Sequence, residues 1–334
     1  METRNIVIIG PGRMGLGIAL SFALHQFHVR VVDGKSRSSA EYERVKKKTK
    51  KELRSHLKFL QGLNYLDESP EAVLARVSFQ EGLNEAALDG LCIFEAIPER
   101  PDLKVDLLRR ISPYVHRNTI VASTTSTIDL KTLRKGFAHP ERLLITHWLN
   151  PAFIIPLVEI SRTDETDPQA VQWMKRTLKK VGKKPVVLKD SPGFIIPRIQ
   201  ALAMNEAVRI LEEGIATAED IDQAIRYGFG FRLCVLGLLE FIDLGGLDIL
   251  YYADKFLSSA FKGERFKVPR LIEDKMKREE TGPRTGKGIY DYRGKNVDLL
   301  FRRKHRELIE LLRKMEPPGS RPGTRSGSEK LRKN

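Results

Sequence analysis

Three side chains stand where chemistry is feasible, each in or just after a short apolar run: Ser126 in Ser123-Thr124-Thr125-Ser126, His147 in His147-Trp148-Leu149-Asn150-Pro151, and Glu159 in Pro156-Leu157-Val158-Glu159-Ile160. A histidine that gives one ring nitrogen to a carboxylate has its tautomer fixed and its basicity raised. It can then take the proton of an alcohol while hydride leaves the carbon. A lone histidine near a strand end is more often structural, so its company decides between the two readings.

Hydride chemistry needs an acceptor, and Gly10-Pro11-Gly12-Arg13-Met14-Gly15 matches G-x-G-x-x-G where a β-branched run meets a segment with helical apolar spacing (Met14, Ile18, Ala19, Phe22). Glycine permits the tight turn, lets backbone approach a pyrophosphate and exposes a helix N-terminus to its charge. Asp33 follows Gly15 by 18 positions at the end of a second strand. A carboxylate there accepts from the adenosine ribose and repels a 2′-phosphate, which favours NAD over NADP; Lys35 and Arg37 close behind it moderate that preference.

These residues need a scaffold. The opening strand, glycine turn, helix and strand at Val29 to Val32 make a βαβ unit with a right-handed crossover. Further strands are expected at Leu91 to Glu95, Thr119 to Ser123, Leu143 to Trp148 and Lys184 to Leu188, separated by helical segments, which predicts a doubly wound α/β sheet. Ser126 and His147 then fall at the carboxyl rim, where such sheets bind ligands. Residues 38–69 read as a charged helical insertion too polar for the core. Past Asp190-Ser191-Pro192-Gly193 the pattern turns helical, so the expected domains are residues 1–189, 190–300 and a basic tail at 301–334.

Bulk properties narrow the class. A chain of 334 residues, 41% hydrophobic, is long enough for two domains. No apolar run nears the roughly 20 residues that cross a bilayer, and the first strand begins too early for a cleaved signal, so a cytoplasmic protein without a membrane partner is expected. Cys92 and Cys234 lie far apart in apolar surroundings, which argues for packing residues and against a disulfide framework or a metal site. The net charge of +15 raises nucleic acid as a partner, but +7 of it sits in residues 301–334. Residues 317–334 read as a solvated tail, and no specific nucleic-acid binding is expected.

The constellation resembles the 3-hydroxyacyl-CoA dehydrogenase family, whose pattern has a serine in an S-N-T-S-like stretch, a histidine in H-x-x-N-P and a glutamate in a P-L-V-E-like strand. The counterparts are Ser126, His147 with Asn150, and Glu159, at intervals of 21 and 12 residues. Glu95 to Glu99 with Lys104 looks like the family's cofactor-proximal E-x-x-x-E and lysine, and Asp190 to Phe194 like its interdomain hinge. Asp220-Ile221-Asp222, Gly228-Phe229-Gly230 and the run from Gly282 to Gly288 resemble its helical domain. The resemblance implies a Rossmann-type NAD domain followed by an all-helical C-terminal domain that makes a homodimer. It also implies that His147 abstracts the proton, Glu159 stabilises the imidazolium and Ser126 hydrogen-bonds the substrate oxygen.

Two departures bear on the substrate. Where thioester enzymes carry an asparagine in G-F-I-x-N-R, this chain has Pro197, which cannot donate that hydrogen bond. Where they carry G-x-P-x-G-P, this chain has Arg232; relatives acting on free acids such as gulonate or carnitine tend to show arginine, and a guanidinium suits a carboxylate. Against these stands the lysine-rich segment from Lys46 to Lys58, with Lys50 and Lys51 at its middle, because family members hold the CoA phosphates on the equivalent helices. The expected function is a short-chain 3-hydroxyacyl-CoA dehydrogenase, with a free 3-hydroxy acid dehydrogenase and a non-catalytic dinucleotide-binding protein as alternatives.

Overall fold

The computed structural model describes residues 5–261 and 263–315, so the expected solvated stretch at residues 317–334 lies outside the described residues. The chain divides into two compact units, Met1–Met204 and Asn205–Asn334.

In the first unit the apolar runs become strands β1 (Asn5–Ile9), β2 (His28–Asp33), β3 (Val77–Glu81), β4 (Cys92–Glu95), β5 (Ile120–Ser123), β6 (Leu143–Trp148), β7 (Leu157–Arg162) and β8 (Lys184–Lys189). Helices α1 (Arg13–Ala23), α2 (Ser39–Gly62), α3 (Pro70–Leu74), α4 (Glu85–Leu88), α5 (Pro101–Ile111), α6 (Leu130–Arg134) and α7 (Pro168–Lys180) lie between them in sequence. The strands form one sheet in the order β3-β2-β1-β4-β5-β6-β7-β8. Order reverses at β1, which puts the β1 and β4 ends at the switch point where such sheets bind ligands.

Central strands are buried on both faces, which explains their unbroken apolar sequence. Ile6 and Ile8 pack with α1 on one side, while Val7 and Ile9 pack with Leu107 and Leu108 of α5 on the other.

Three expectations need adjustment. The sheet is parallel except between β6 and β7, which run antiparallel. Strand β3 was not anticipated; its sequence Val-Ser-Phe-Gln-Glu is an edge strand with little apolar content. The charged residues 38–69 are not wholly solvated: α2 buries Thr49, Leu53, Leu57 and Leu60 along one face and leaves Lys47, Lys48, Lys50, Lys51 and Lys58 exposed on the rest. Four buried residues at helical spacing suffice to seat a helix whose average composition is polar.

The division between the units falls within α8 (Ile196–Glu212). The second unit continues through α9 (Ala218–Ala224), a π-helical turn at Ile225–Gly230, α10 (Phe231–Leu233), α11 (Leu238–Gly245), α12 (Leu247–Ala260), α13 (Arg270–Lys277) and α14 (Val297–Met315), with no strand among its described residues. Residues 301–315, expected as the start of a tail, belong to α14, where Phe301, Lys304, Leu308 and Leu311 are partly buried at helical spacing. Asp243, fully buried, accepts the backbone N–H groups of Ile289 and Tyr290 at 2.8 Å each and so fixes the glycine-rich closing motif. Cys92 is buried as expected, but Cys234 is exposed, its thiol 3.4 Å from the Gly230 carbonyl one helical turn back.

Candidate active site

Cofactor geometry follows from the glycines. Gly10 adopts φ 114°, and a Cβ there would lie 2.5 Å from the Ala96 carbonyl at the end of β4. A Cβ on Gly15 would lie 2.1 Å from the Gly10 carbonyl, so α1 can approach the turn only through a bare Cα. Gly12 caps α1 without any side-chain hydrogen bond, and nothing lies within 4 Å of the place its Cβ would take. The first N–H groups of α1 are thus left for an anion, as a dinucleotide pyrophosphate requires. Arg13 is exposed on that first turn, and Met14 packs inward against the core.

Beside the turn is a cavity of about 480 Å³ that Gly10, Gly12, Asp33, Ala96, Ile97 and Pro98 help to line. Asp33, buried at the end of β2, accepts the Arg37 Nε–H at 2.6 Å and the Lys35 backbone N–H at 3.2 Å. These residues fit NAD: an open helix terminus for the pyrophosphate and a strand-end carboxylate for the ribose.

Glu99 and Lys104 support this floor from below. Lys104, 1% exposed, donates to Glu95 Oε1 at 2.6 Å and to the Ile97 carbonyl at 3.2 Å, and lies 3.6 Å from Glu99 Oε2. Glu95, also fully buried, accepts the Ile97 N–H and the Ser123 hydroxyl. Glu99 Oε1 collects the Thr125 hydroxyl at 2.5 Å, the Ser126 N–H at 2.8 Å and the Thr127 N–H at 3.1 Å. Burial alone would raise the Glu99 carboxyl, but the Thr125 hydroxyl, the Ser126 amide and the Lys104 ammonium outweigh it and lower its pKa. The E-x-x-x-E motif with its lysine therefore ties residues that line the cavity beside the glycine turn to the loop that presents the exposed Ser126. Glu95, named from sequence only as the first glutamate of the E-x-x-x-E motif, is the buried anchor of this network; a glutamate closing a wholly apolar strand is the signal that marks that part.

His147 and Glu159 pair directly across the antiparallel β6 and β7. His147 Nδ1 stands 2.8 Å from Glu159 Oε2, with both residues almost fully buried. The second carboxylate oxygen accepts the N–H groups of Ile195 at 2.9 Å and Ile196 at 3.1 Å, where α8 begins. Burial opposes ionisation of Glu159, but the His147 ring and these two amides prevail, so its pKa lies below the ordinary glutamate value. Gly193 (φ 72°) and Phe194 (φ 47°) are both left-handed, which turns the chain so that the two amides face the carboxylate. The Phe194 ring lies 5.4 Å from the His147 ring. Pro197 falls in the first turn of α8, where a missing N–H costs no helical bond. Asn150 is exposed at the end of the same β6 excursion.

Lys50 and Lys51 are exposed on α2, with Lys50 Nζ 5.6 Å from the Phe79 ring centre. Arg232, in the second unit, is exposed and stacks over Phe241 at 5.3 Å.

A glycine turn built for a dinucleotide and a buried histidine–carboxylate pair on one doubly wound sheet define an NAD-dependent dehydrogenase. Residues 5–191 match the 3-hydroxyacyl-CoA dehydrogenase NAD binding domain and residues 193–292 the 3-hydroxyacyl-CoA dehydrogenase C-terminal domain, so the chain belongs to the 3-hydroxyacyl-CoA dehydrogenase family. It is 31% identical to 5-formyl-3-hydroxy-2-methylpyridine 4-carboxylate 5-dehydrogenase of Mesorhizobium japonicum, covering 94% of this chain and 98% of that one. With a probable 3-hydroxybutyryl-CoA dehydrogenase of Deinococcus radiodurans it shares 30% identity over 85% of this chain and 99% of that one. The solved 3-hydroxyacyl-CoA dehydrogenase of Archaeoglobus fulgidus superposes with a TM-score of 0.74 at 30% identity, over 93% of this chain and 98% of the other. The protein is an NAD-dependent oxidoreductase of the class that acts on CH–OH groups. Among the described residues no helix is long and apolar enough to cross a membrane.

Proposed function

We propose that the protein reversibly oxidises the 3-hydroxyl of a short acyl-CoA thioester, with 3-hydroxybutyryl-CoA as the default substrate and His147 as the base. The observation that carries this reading is the buried His147–Glu159 pair. Glu159 fixes the proton on Nδ1 and leaves Nε2 to take the substrate's hydroxyl proton; the imidazolium that forms is stabilised by the carboxylate beside it. NAD, held at the glycine turn by Gly10, Gly12 and Gly15 with Asp33, would supply the hydride acceptor. Ser126, held by Glu99 through its backbone, offers its hydroxyl to the substrate oxygen, and Asn150 completes the polar rim. Glu99 and Lys104 act on the cofactor by holding residues 95–98 in place. The exposed lysines of α2, Lys50 and Lys51 among them, supply charge for the CoA phosphates.

A second reading, oxidation of a free hydroxy acid, draws on Pro197, on the exposed guanidinium of Arg232 and on the carboxylate named for the Mesorhizobium relative. NADH formation measured with 3-hydroxybutyryl-CoA beside free 3-hydroxybutyrate, gulonate and carnitine separates them. Turnover of the thioester alone supports the first reading, and turnover of a free acid alone replaces it.

We further infer a homodimer through the second unit, supported by exposed large apolar side chains such as Leu211, Ile215, Tyr252 and Phe256. Light scattering on the eluting protein tests it, and a monomer mass refutes it.

A further inference from the structure

We propose that Lys183 is a positioning residue for the segment between β6 and β7, which carries Asn150 and sets His147 opposite Glu159. The inference rests on the reading of His147 as the base.

Lys183 is 5% exposed, and among the described residues no carboxylate pairs with it. Its Nζ donates instead to the Ala152 carbonyl at 2.6 Å and the Ile155 carbonyl at 3.0 Å, and lies 5.7 Å from the Trp148 ring centre. Burial without a counter-charge pushes its ammonium down to about 8. A buried cation with no carboxylate is costly, and a lysine that merely filled space would be replaced by an apolar side chain without penalty. What an apolar side chain cannot do is satisfy two buried carbonyls of one turn and so fix their directions.

The same turn is also held by α1, whose Ser21 meets the carbonyl that Lys183 meets and lines the same cavity. Ser21 Oγ lies 3.1 Å from the Ala152 carbonyl, and a Cβ on Gly17 would lie only 3.0 Å from the Ala152 Cβ. The Phe153 ring lies 5.1 Å from the His56 ring of α2, tilted by 48°. The helix whose N-terminus forms the cofactor turn therefore also grips the segment that follows His147, and Lys183 clamps it against that helix. His25, Tyr65, Asp67 and Glu68 share the adjoining cavity of about 450 Å³ with Lys183. Glu68 is committed to Arg76.

The test compares Lys183→Met, Lys183→Arg and His147→Gln with wild type, reading kcat and KM on whichever panel substrate is turned over and NADH affinity by fluorescence. We expect Lys183→Met to lower kcat by about 10-fold or more with NADH affinity within about twofold of wild type, and Lys183→Arg to recover most of the rate. Where Met is not tolerated, Lys183→Gln carries the same comparison. Unchanged kcat in Lys183→Met overturns the proposal, as does a rate loss matched by lost NADH affinity and unrescued by arginine. Activity surviving His147→Gln defeats the underlying reading instead, whereas an inactive His147→Gln beside a fully active Lys183→Met defeats the Lys183 inference alone.

Discussion

Glu159 divides its two carboxylate oxygens between His147, at 2.8 Å from Nδ1, and the first amides of α8. The pair needs the reversal of direction between β6 and β7, because only antiparallel strands set residues 147 and 159 face to face after so short an excursion. Glu159→Gln keeps the shape but offers one neutral oxygen in place of a carboxylate. We expect kcat to fall by about 10²-fold with KM little changed, because the imidazolium loses its partner. A wild-type kcat in steady-state assays would show that the carboxylate is not needed.

Gly15→Ala places a methyl group where the Gly10 carbonyl stands, 2.1 Å away. Backbone has to move for it to fit, and the turn proposed to receive the pyrophosphate moves with it. NADH binding followed by fluorescence titration should be lost or weakened beyond about 10-fold. Retained affinity would mean that α1 is not the phosphate-binding helix.

Asp33→Ala removes the carboxylate that we propose meets the cofactor ribose in this cavity and frees Arg37. Loss of a hydrogen bond to a charged group weakens NAD binding by about 1.5–3 kcal/mol, and the freed guanidinium should improve NADP relative to NAD. Competitive titration of the two cofactors reads the ratio. An unaltered ratio contradicts the assignment of Asp33.

Lys104→Met leaves Glu95 buried without its cation. Breaking a buried pair by removing one partner costs about 3–5 kcal/mol, so urea denaturation should show a stability loss of that order. A loss below about 1 kcal/mol would place the network outside the fold's essential supports.

Lys183 gives a pH signature of defined sign. Its folded value of about 8 lies below its ordinary 10.5. Below the folded value both states hold the proton and the burial cost is fully present. Between the two values the unfolded chain binds more protons, so this group's contribution to stability rises with pH. Wild type should therefore gain on Lys183→Met across that window in denaturation at successive pH values. A constant difference would contradict the buried, uncompensated ammonium.

Much of this was legible in the sequence: β1, β4, β5 and β6, buried on both faces, write themselves as apolar runs, while β2 and the largely exposed edge strand β8 are each marked by a Val-Val pair; all six fall where expected, and the glycine turn sits between strand and helix. Edge strand β3 escaped because one solvated face dilutes its apolar content. The four buried residues of α2 were hidden among lysines that outnumber them. Strand direction at β7 leaves no mark in composition, since parallel and antiparallel neighbours bury the same residues. At the site, residue types and spacing marked His147, Glu159 and Ser126. Lys183, one of four lysines between residues 179 and 184, differs from the others only in being buried, which no local pattern encodes. Likewise Cys234 sits among apolar neighbours in sequence and is nonetheless exposed.

The most direct test is the initial rate of NADH formation by wild type and His147→Gln, side by side at saturating NAD and substrate. General-base catalysis by His147 predicts that the variant loses about 10²–10⁴-fold in kcat while still binding NADH. Equal rates in the two proteins would contradict it.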